Sequence, residues 1–501
     1  MAIEIEDKFD VPVDYEIPEL TGLPGITEMV GPKTHRLVAL YFDTPDLRLA
    51  ARGITLRRRR GGTDPGWHLK LPKAKGVRQE ITHPLTRSVK IVPPELADLV
   101  LAYTRGAPLG PIAELDTRRA VTQLVNAAGV RLVEIADDRV KGTVLGAEPH
   151  VERWREVEAE LIEGDEKLLR KTGKRLTKAG AAPADSASKL SRLLNAAAPV
   201  PGPPHAETVP GPPHAETVPG SAGELVMGYL SAQAGALLSQ DPRVRRAEED
   251  AVHQMRVASR RLRSALKSFR RVVEGSERLQ EELRWLGQVL GEARDLEVVR
   301  ERFAGRLDGL DVALIVGPVR ARLSSDLLDA EHEAYDRIRE VLGGERYFAL
   351  LDVLDDLVGT PPLTKAAGKP AGTLDALAAK SWRRVTRAYD RAQAVADPAE
   401  REPAMHDVRK AAKRARYTAE ALGMNKLAKR AESVQEALGT HLDGVVAQGR
   451  LAAEAETARQ SGEDTFTYGV LTGLERAAAE RAFEEFPRVW AETAEAVGKL
   501  L

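Results

Sequence analysis

The sequence predicts a multidomain protein of two unlike parts, a strand-dominated α+β domain followed by an all-α domain. Three observations predict this: short alternating runs broken by Gly and Pro as far as residue 195, a tandem proline-rich repeat just beyond, and long Ala-, Leu-, Arg- and Glu-rich segments of helical period after Ser221. A chain of 501 residues is too long for one hydrophobic core, so two or three domains are expected. Lys and Arg number 74 against 75 Asp and Glu, a net charge of -1, so a polyanion partner has to be sought in local clusters. The absence of cysteine excludes disulfides, thiolate metal sites and cysteine nucleophiles. The start Met-Ala-Ile-Glu-Ile-Glu has neither the basic nor the apolar stretch of a secretory signal, and no run approaches the ~18 apolar residues of a membrane helix. The expectation is a soluble cytoplasmic protein.

In the first part, strand-like alternation runs over 3–9, 53–59, 67–71, 130–135 and 154–162, with helical stretches over 94–103 and 166–179. The segment Pro-Gly-Pro-Pro-His-Ala-Glu-Thr-Val then occurs twice, from Pro201 and from Pro210. It has no apolar surface to bury and reads as an extended linker, with His205 and His214 incidental to it. The domains are accordingly expected at 1–198 and 221–501, joined by a linker over 199–220.

Alternate residues of a strand share a face. A single charged face ordinarily meets water, but here it recurs: Glu4, Glu6 and Lys8; Arg57 and Arg59; His68 and Lys70; Arg78 and Glu80; Glu156, Glu158 and Glu160. Rows of both signs turned inward are ruinous in an apolar core and make sense around a water-filled or ligand-filled lumen. The carboxylates suit a hard divalent cation, and the Arg and Lys rows suit phosphate oxygens.

These rows resemble the CYTH, or triphosphate tunnel metalloenzyme, superfamily, whose mark is an N-terminal Glu-x-Glu-x-Lys strand. Glu4-Ile5-Glu6-Asp7-Lys8 matches it, and the resemblance continues through Tyr41-Phe42-Asp43-Thr44, Leu56-Arg57-Arg58-Arg59, Trp67-His68-Leu69-Lys70, Arg78-Gln79-Glu80 and Glu156-Val157-Glu158-Ala159-Glu160-Leu161 to Ser188-Lys189. The resemblance implies a closed antiparallel β-barrel whose tunnel holds a linear triphosphate. It implies metal ligands among Glu4, Glu6, Asp138, Glu156, Glu158 and Glu160, with Mg²⁺ or Mn²⁺ as the cofactor. Phosphate oxygens fall to Lys8, Arg57, Arg59, Lys70, Arg78, Lys189 and one of Arg118 and Arg119, which parity leaves undecided. Arg58 and Arg60 are expected to face outward into solvent. Catalysis would rest on Lys8, Tyr41 and Lys70, with Tyr41 and Lys70 assisting the attacking water; an ordinary packed strand aromatic is the other reading of Tyr41.

In the second part, His253-Gln-Met-Arg256-Val-Ala-Ser-Arg260-Arg-Leu-Arg263 aligns with His406-Asp-Val-Arg409-Lys410-Ala-Ala-Lys413-Arg-Ala-Arg416. Positions i, i+3, i+7 and i+10 fall on one stripe of a helix, with Met255, Leu262, Leu266 and Phe269, or Val408, Ala415, Ala419 and Leu422, on the other side. Each stripe lacks interleaved acidic residues, so its like charges call for a polyanion. A second phrase follows each: Leu290-Gly291-Glu-Ala-Arg-Asp295 and Leu438-Gly439-Thr-His-Leu-Asp443. The duplication predicts two helical bundles related by a pseudo-two-fold, their basic helices facing each other. Gly291 and Gly439 lie within helical sequence and are not phosphate-loop glycines.

These motifs resemble the CHAD family, the conserved-histidine α-helical domain, over 221–501, with Thr440-His441-Leu442 as a local departure. The resemblance implies binding of inorganic polyphosphate by His253, Arg256, Arg260, Arg263, His406, Arg409, Lys410, Lys413 and Arg416. Three functions compete: hydrolysis of inorganic triphosphate or short polyphosphate with capture of the polymer; a non-catalytic module associated with polyphosphate granules; and an organic triphosphatase or adenylate cyclase, acting on thiamine triphosphate or ATP. No groove-reading motif is present and aromatics are 4% of the chain, so nucleic acid is the weaker partner.

Overall fold

The structure, a computed structural model, describes residues 2–74, 77–146, 149–186, 188–197 and 217–500; of residues 2–4, 74, 197, 398 and 399 it describes the backbone alone. Linker residues 199–216, with His205 and His214, lie outside the described residues. The chain divides into two compact units, Met1–Pro213 and His214–Leu501.

The first unit is an antiparallel barrel of eight strands: β1 Ala2–Asp10, β2 Glu28–Asp43, β3 Thr55–Arg60, β4 Gly66–Ala74, β5 Val77–His83, β6 Gly110–Val125, β7 Arg131–Val144 and β8 His150–Leu161. The order β5-β4-β3-β2-β6-β7-β8-β1 closes through a β1–β5 pairing, so the eight strands form a ring without a free edge. Its helices are α1 Pro94–Leu99, α2 Leu101–Thr104, α3 Glu166–Lys178 and α4 Lys189–Ala197. Asp165 caps α3 by accepting from the Leu168 amide, and a proline at the first position starts α1.

These helices explain why the charged rows turn inward. Leu168, Leu169 and Leu176 of α3 pack on Phe9, Ile135, Val157 and Ala159, while Leu96 and Leu99 of α1 pack on Leu56, Trp67 and Leu69. Where α1 and α3 cover the strands, their outer faces are thus the apolar ones. At one end the interior is apolar as well: Leu190, Leu193 and Leu194 of α4 pack on Tyr41, Leu115, Val140 and Trp154. Gly142 makes room for them, since a Cβ there would lie 2.9 Å from both δ carbons of Leu193. The helix closes that end of the barrel.

The second unit is helical: α5 Ala222–Arg245, α6 Ala251–Ser268, α7 Glu277–Asp308, α8 Val319–Ala321, α9 Leu327–Leu342, α10 Glu345–Gly359, α11 Asp375–Ala394, α12 Pro398–Ala421, α13 Asn425–Gln460 and α14 Phe466–Gly498. Helices α5–α7 and α11–α13 are stacked as corresponding triplets, and α6 touches α12 across them. The expected apolar sides go to the core: Met255, Leu262 and Leu266 are buried, and Val408, Ala415 and Ala419 pack with Trp382, Val385, Val434 and Leu438. Among the described residues no helix is long and apolar enough to cross a membrane.

Candidate functional site

The barrel encloses a cavity of about 750 Å³. Strand alternation puts Glu6, Lys8, Tyr41, Arg57, Arg59, Lys70, Arg78, Arg119, Glu158 and Glu160 on its wall, and the first residue of α4 adds Lys189. Glu4 stands opposite Arg78 in the β1–β5 register, its side chain outside the described residues. Of the undecided arginine pair, Arg119 reaches the cavity, whereas Arg118 is exposed on the outer face. Arg60 is exposed as expected, but Arg58 is only 8% accessible: the outer face it occupies is covered, not solvated.

The deep part of the site is an ion network. Glu158 Oε1 accepts from Lys8 Nζ at 2.6 Å and Lys189 Nζ at 2.7 Å, and its Oε2 accepts from Arg119 at 2.5 Å. Lys189 Nζ also lies 2.6 Å from Glu156 and 2.9 Å from Asp138, which takes a second bond from Arg119 at 2.6 Å. Burial pushes the Glu158 carboxyl up, but Lys189, Lys8 and Arg119 outweigh it and hold it well below the usual range. Burial likewise pulls Lys189 down, while Asp138, Glu158 and Glu156 raise it well above an ordinary lysine. The oxygens of Asp138, Glu156 and Glu158 lie within 4.8 Å of one another, the spacing of a metal site, with the Lys189 ammonium among them. Asp138 and Glu156 do not line the cavity wall itself.

A second carboxylate row lies on the wall. Glu6 faces Glu160 in the β1–β8 register and Glu160 faces Glu134 in the β7–β8 register. Like charges placed directly opposite across strands destabilise a sheet unless a cation joins them, and their hard oxygens suit a divalent ion. Burial raises Glu6, but Lys8 leads the cations that bring it below the usual carboxylate range. Lys8 itself is lowered by burial and raised more by Glu158 and Glu6, so it stays a cation.

The opposite wall is cationic. Arg57 donates to the Tyr41 hydroxyl at 3.3 Å, and the Nε atoms of Arg57 and Arg59 are buried with no hydrogen-bond partner. Arg59 also pairs with Asp64. Burial and then Arg57 pull Arg59 down to about 10. For Tyr41, burial raises the phenol, but Arg57, Lys189 and Lys70 together leave it below its usual range. Lys70 Nζ lies 3.6 Å from Glu80, which also binds His68 Nδ1 at 2.9 Å; the other nitrogen of His68 meets the Asp64 carbonyl, so that ring is a buried strut.

In the helical unit, both basic stripes converge. Burial, then Arg260, Arg409 and Arg256, pull Lys413 down to about 8 against Asp443, which places the α12 lysine among arginines of both helices. Burial, then Arg284 and Arg260, lowers Arg263; burial, then chiefly Arg294, lowers His253; burial, then Lys410 and Arg409, lowers His406. Arg263, Arg284 and Lys413 make no ion pair among the described residues. The expectation of stripes without acidic partners holds less well elsewhere. Arg416 is taken up by Glu420 and Glu432, each at 2.8 Å, Arg256 meets Asp295 at 3.2 Å, and Lys410 lies exposed beside Asp407. Glu432 and Asp295 come from neighbouring helices, which spacing along one helix does not display.

Residues 2–194 match the CYTH domain and residues 228–452 match the CHAD domain. An uncharacterized protein of Mycobacterium tuberculosis is 38% identical over 504 residues, covering 96% of this chain and 94% of its own length. The chain belongs to the family that joins a CYTH domain to a CHAD domain. Among solved structures, PptA from Streptomyces chartreusis is 26% identical, covering 54% of this chain and 99% of its own, with a TM-score of 0.45. The CHAD domain from the plant Ricinus communis is 24% identical, covering 56% of this chain and 94% of its own, with a TM-score of 0.42.

The CYTH domain thus brings Glu6, Lys8, Tyr41, Arg57, Arg59, Lys70, Arg78, Arg119, Glu158, Glu160 and Lys189 around one cavity, of the triphosphate tunnel metalloenzyme type, while Asp138 and Glu156 stand behind its wall and Arg118 faces away. Sequence reading missed Lys33, His35, Arg131 and Glu134, which also line it. The register shift between Val30 and Lys33 breaks the alternation that marks the other rows. In the CHAD domain it missed Arg284 and Arg294, which lie on α7 outside the duplicated stripe. The Leu-Gly-x-x-x-Asp phrase now has a physical role. Arg256 donates to the Gly291 carbonyl and Asp295, each at 3.2 Å, and a Cβ at Gly439 would lie 3.2 Å from Arg409 Nη2. At Gly439 the missing Cβ thus makes room for Arg409, whereas at Gly291 a Cβ would lie 3.8 Å from Arg256, an ordinary contact.

Proposed function

We propose that the CYTH domain hydrolyses inorganic triphosphate and short polyphosphate with a divalent cation, Mg²⁺ or Mn²⁺, and that the CHAD domain binds inorganic polyphosphate. The observation that carries this reading is the pairing, across one cavity, of buried arginine Nε donors without hydrogen-bond partners, those of Arg57 and Arg59, and a row of carboxylates, Glu6, Glu160 and Glu134, set directly opposite one another on neighbouring strands. Glu4, Glu6, Glu158 and Glu160, with Glu134 beside them, would hold the metal. Bound there, the ion neutralises charge on the phosphoryl oxygens.

The chain's own groups do the rest by positioning and charge. Arg57, Arg59, Lys70, Arg78 and Arg119 take the remaining phosphate oxygens. Lys8, kept protonated by Glu158 and Glu6, serves as a binding cation and not as a base. The Tyr41 hydroxyl, oriented by Arg57 and subject to the charge of Lys70, is the group suited to orienting the attacking water. In the CHAD domain, the cations shared by α6 and α12, joined by Arg284 and Arg294, repel one another and are relieved by a polyanion. Replacing Glu4→Gln together with Glu6→Gln is expected to abolish metal-dependent phosphate release from triphosphate while leaving the fold intact; undiminished release by the double variant refutes the metal assignment.

A further inference from the structure

We infer that Lys33, His35 and Arg131 form an outer phosphate subsite at the mouth of a blind cavity, so that the barrel takes the free end of a linear polyphosphate longer than triphosphate. This rests on the hydrolase reading and adds chain length and direction to it.

The cavity has a closed floor. Leu190 and Leu193 of α4 pack against Tyr41, Leu115 and Trp154 inside the barrel, so a polymer enters from one end and does not thread through. Lys33 and Tyr41 line the same cavity from one strand, eight residues apart. At ~3.3 Å per residue and a strand tilt of ~40°, that spacing amounts to roughly 20 Å of depth. A linear triphosphate held among the deep cations leaves the outer part of that depth unfilled. The deep cations Lys8, Arg119 and Lys189 are each held by carboxylates at 2.9 Å or less. Lys33, His35 and Arg131 differ: they line the wall but make no ion pair among the described residues. His35 stands opposite Arg119 in the β2–β6 register, and Lys33, two residues further from Tyr41 on the same strand, continues that row toward the exposed end of the cavity. The nearby carboxylate of Asp64 is taken by Arg59, and Glu134 belongs to the Glu6–Glu160 row.

The consequence is cleavage from the end. In each cycle the water oxygen bonds to the innermost, terminal phosphorus and the P–O–P bond breaks. The bridging oxygen leaves with the shortened chain, and the two protons of water are shared between that chain and the released phosphate. The shortened chain stays tethered by the mouth cations.

The test compares the full chain with Lys33→Ala/Arg131→Ala, both substitutions at exposed positions. Initial rates of phosphate release with Mn²⁺ are measured on linear triphosphate and on a longer linear polyphosphate of defined length. Loss of two charge-assisted contacts is expected to raise KM for the longer chain about tenfold, with KM for triphosphate and both kcat values within about twofold of the parent. An equal rise for both substrates assigns the two cations to the triphosphate site and overturns the subsite; no rise for either makes them solvated surface and overturns it too. If the parent protein releases phosphate from neither substrate, the hydrolase reading falls. Calorimetric affinities of the two chains for the same two proteins then judge the subsite alone, because the CHAD sites contribute equally to both proteins.

Discussion

Lys189 is the residue on which the deep network turns. Its ammonium meets Asp138, Glu156 and Glu158 within 2.9 Å, in surroundings where it is 10% exposed. Removing one partner of a buried network leaves uncompensated charge and costs about 3–5 kcal/mol. Lys189→Ala is expected to destabilise the barrel by that order in denaturant unfolding; a change below about 1 kcal/mol contradicts the network as drawn. The pH dependence has a definite sign. Glu158 is held below its unfolded value, so the stability it contributes is fully present above about pH 4.3 and drains away as pH falls through the lower folded value. In the CHAD domain, Lys413 sits near 8, below its unfolded ~10.4, so it opposes folding at low pH and stability rises as pH climbs between those values. A polyanion prefers the protonated lysine. Polyphosphate affinity is therefore expected to be flat near neutrality and to weaken as pH passes about 8, and Lys413→Arg should remove that step; a step that survives in the arginine variant assigns it to another group.

At the scale of elements, α4 both ends the cavity and supplies Lys189, so its seating is a condition for the site. Gly142 decides that seating: a Cβ there meets Leu193 at 2.9 Å and Leu115 at 3.0 Å. Overpacking of this kind costs about 1–3 kcal/mol. Gly142→Ala is expected to lower barrel stability by that amount and to weaken triphosphate turnover through displaced Lys189; unchanged melting and turnover contradict the plug. The same elements mark what the sequence made legible. Regular alternation exposed Glu6, Lys8, Arg57, Arg59, Lys70, Glu158 and Glu160 because each lies in an uninterrupted strand facing the lumen. Arg118 and Arg119 stayed undecided, since both are arginines on one strand and only the register of β6 against its neighbours gives its face. The mouth residues escaped because they sit beside a register shift or at a strand end. The helical period exposed both basic stripes, but Asp295, which pairs with Arg256, and Glu432, which pairs with Arg416 beside the same-helix Glu420, come from other helices.

At the scale of the whole molecule, a chain with a formal charge of -1 concentrates cations in two places, the barrel lumen and the α6–α12 surface. The linker residues between the two units carry no such cluster. We propose that the ionic lumen is a metal-dependent site for inorganic triphosphate. The most direct measurement is phosphate release by the full chain from linear triphosphate, ATP and thiamine triphosphate, each with Mg²⁺ or Mn²⁺ and with chelator. Turnover of linear triphosphate well above both organic triphosphates, lost on chelation, is expected. Preference for ATP or thiamine triphosphate, or release from triphosphate that survives chelation, would contradict it.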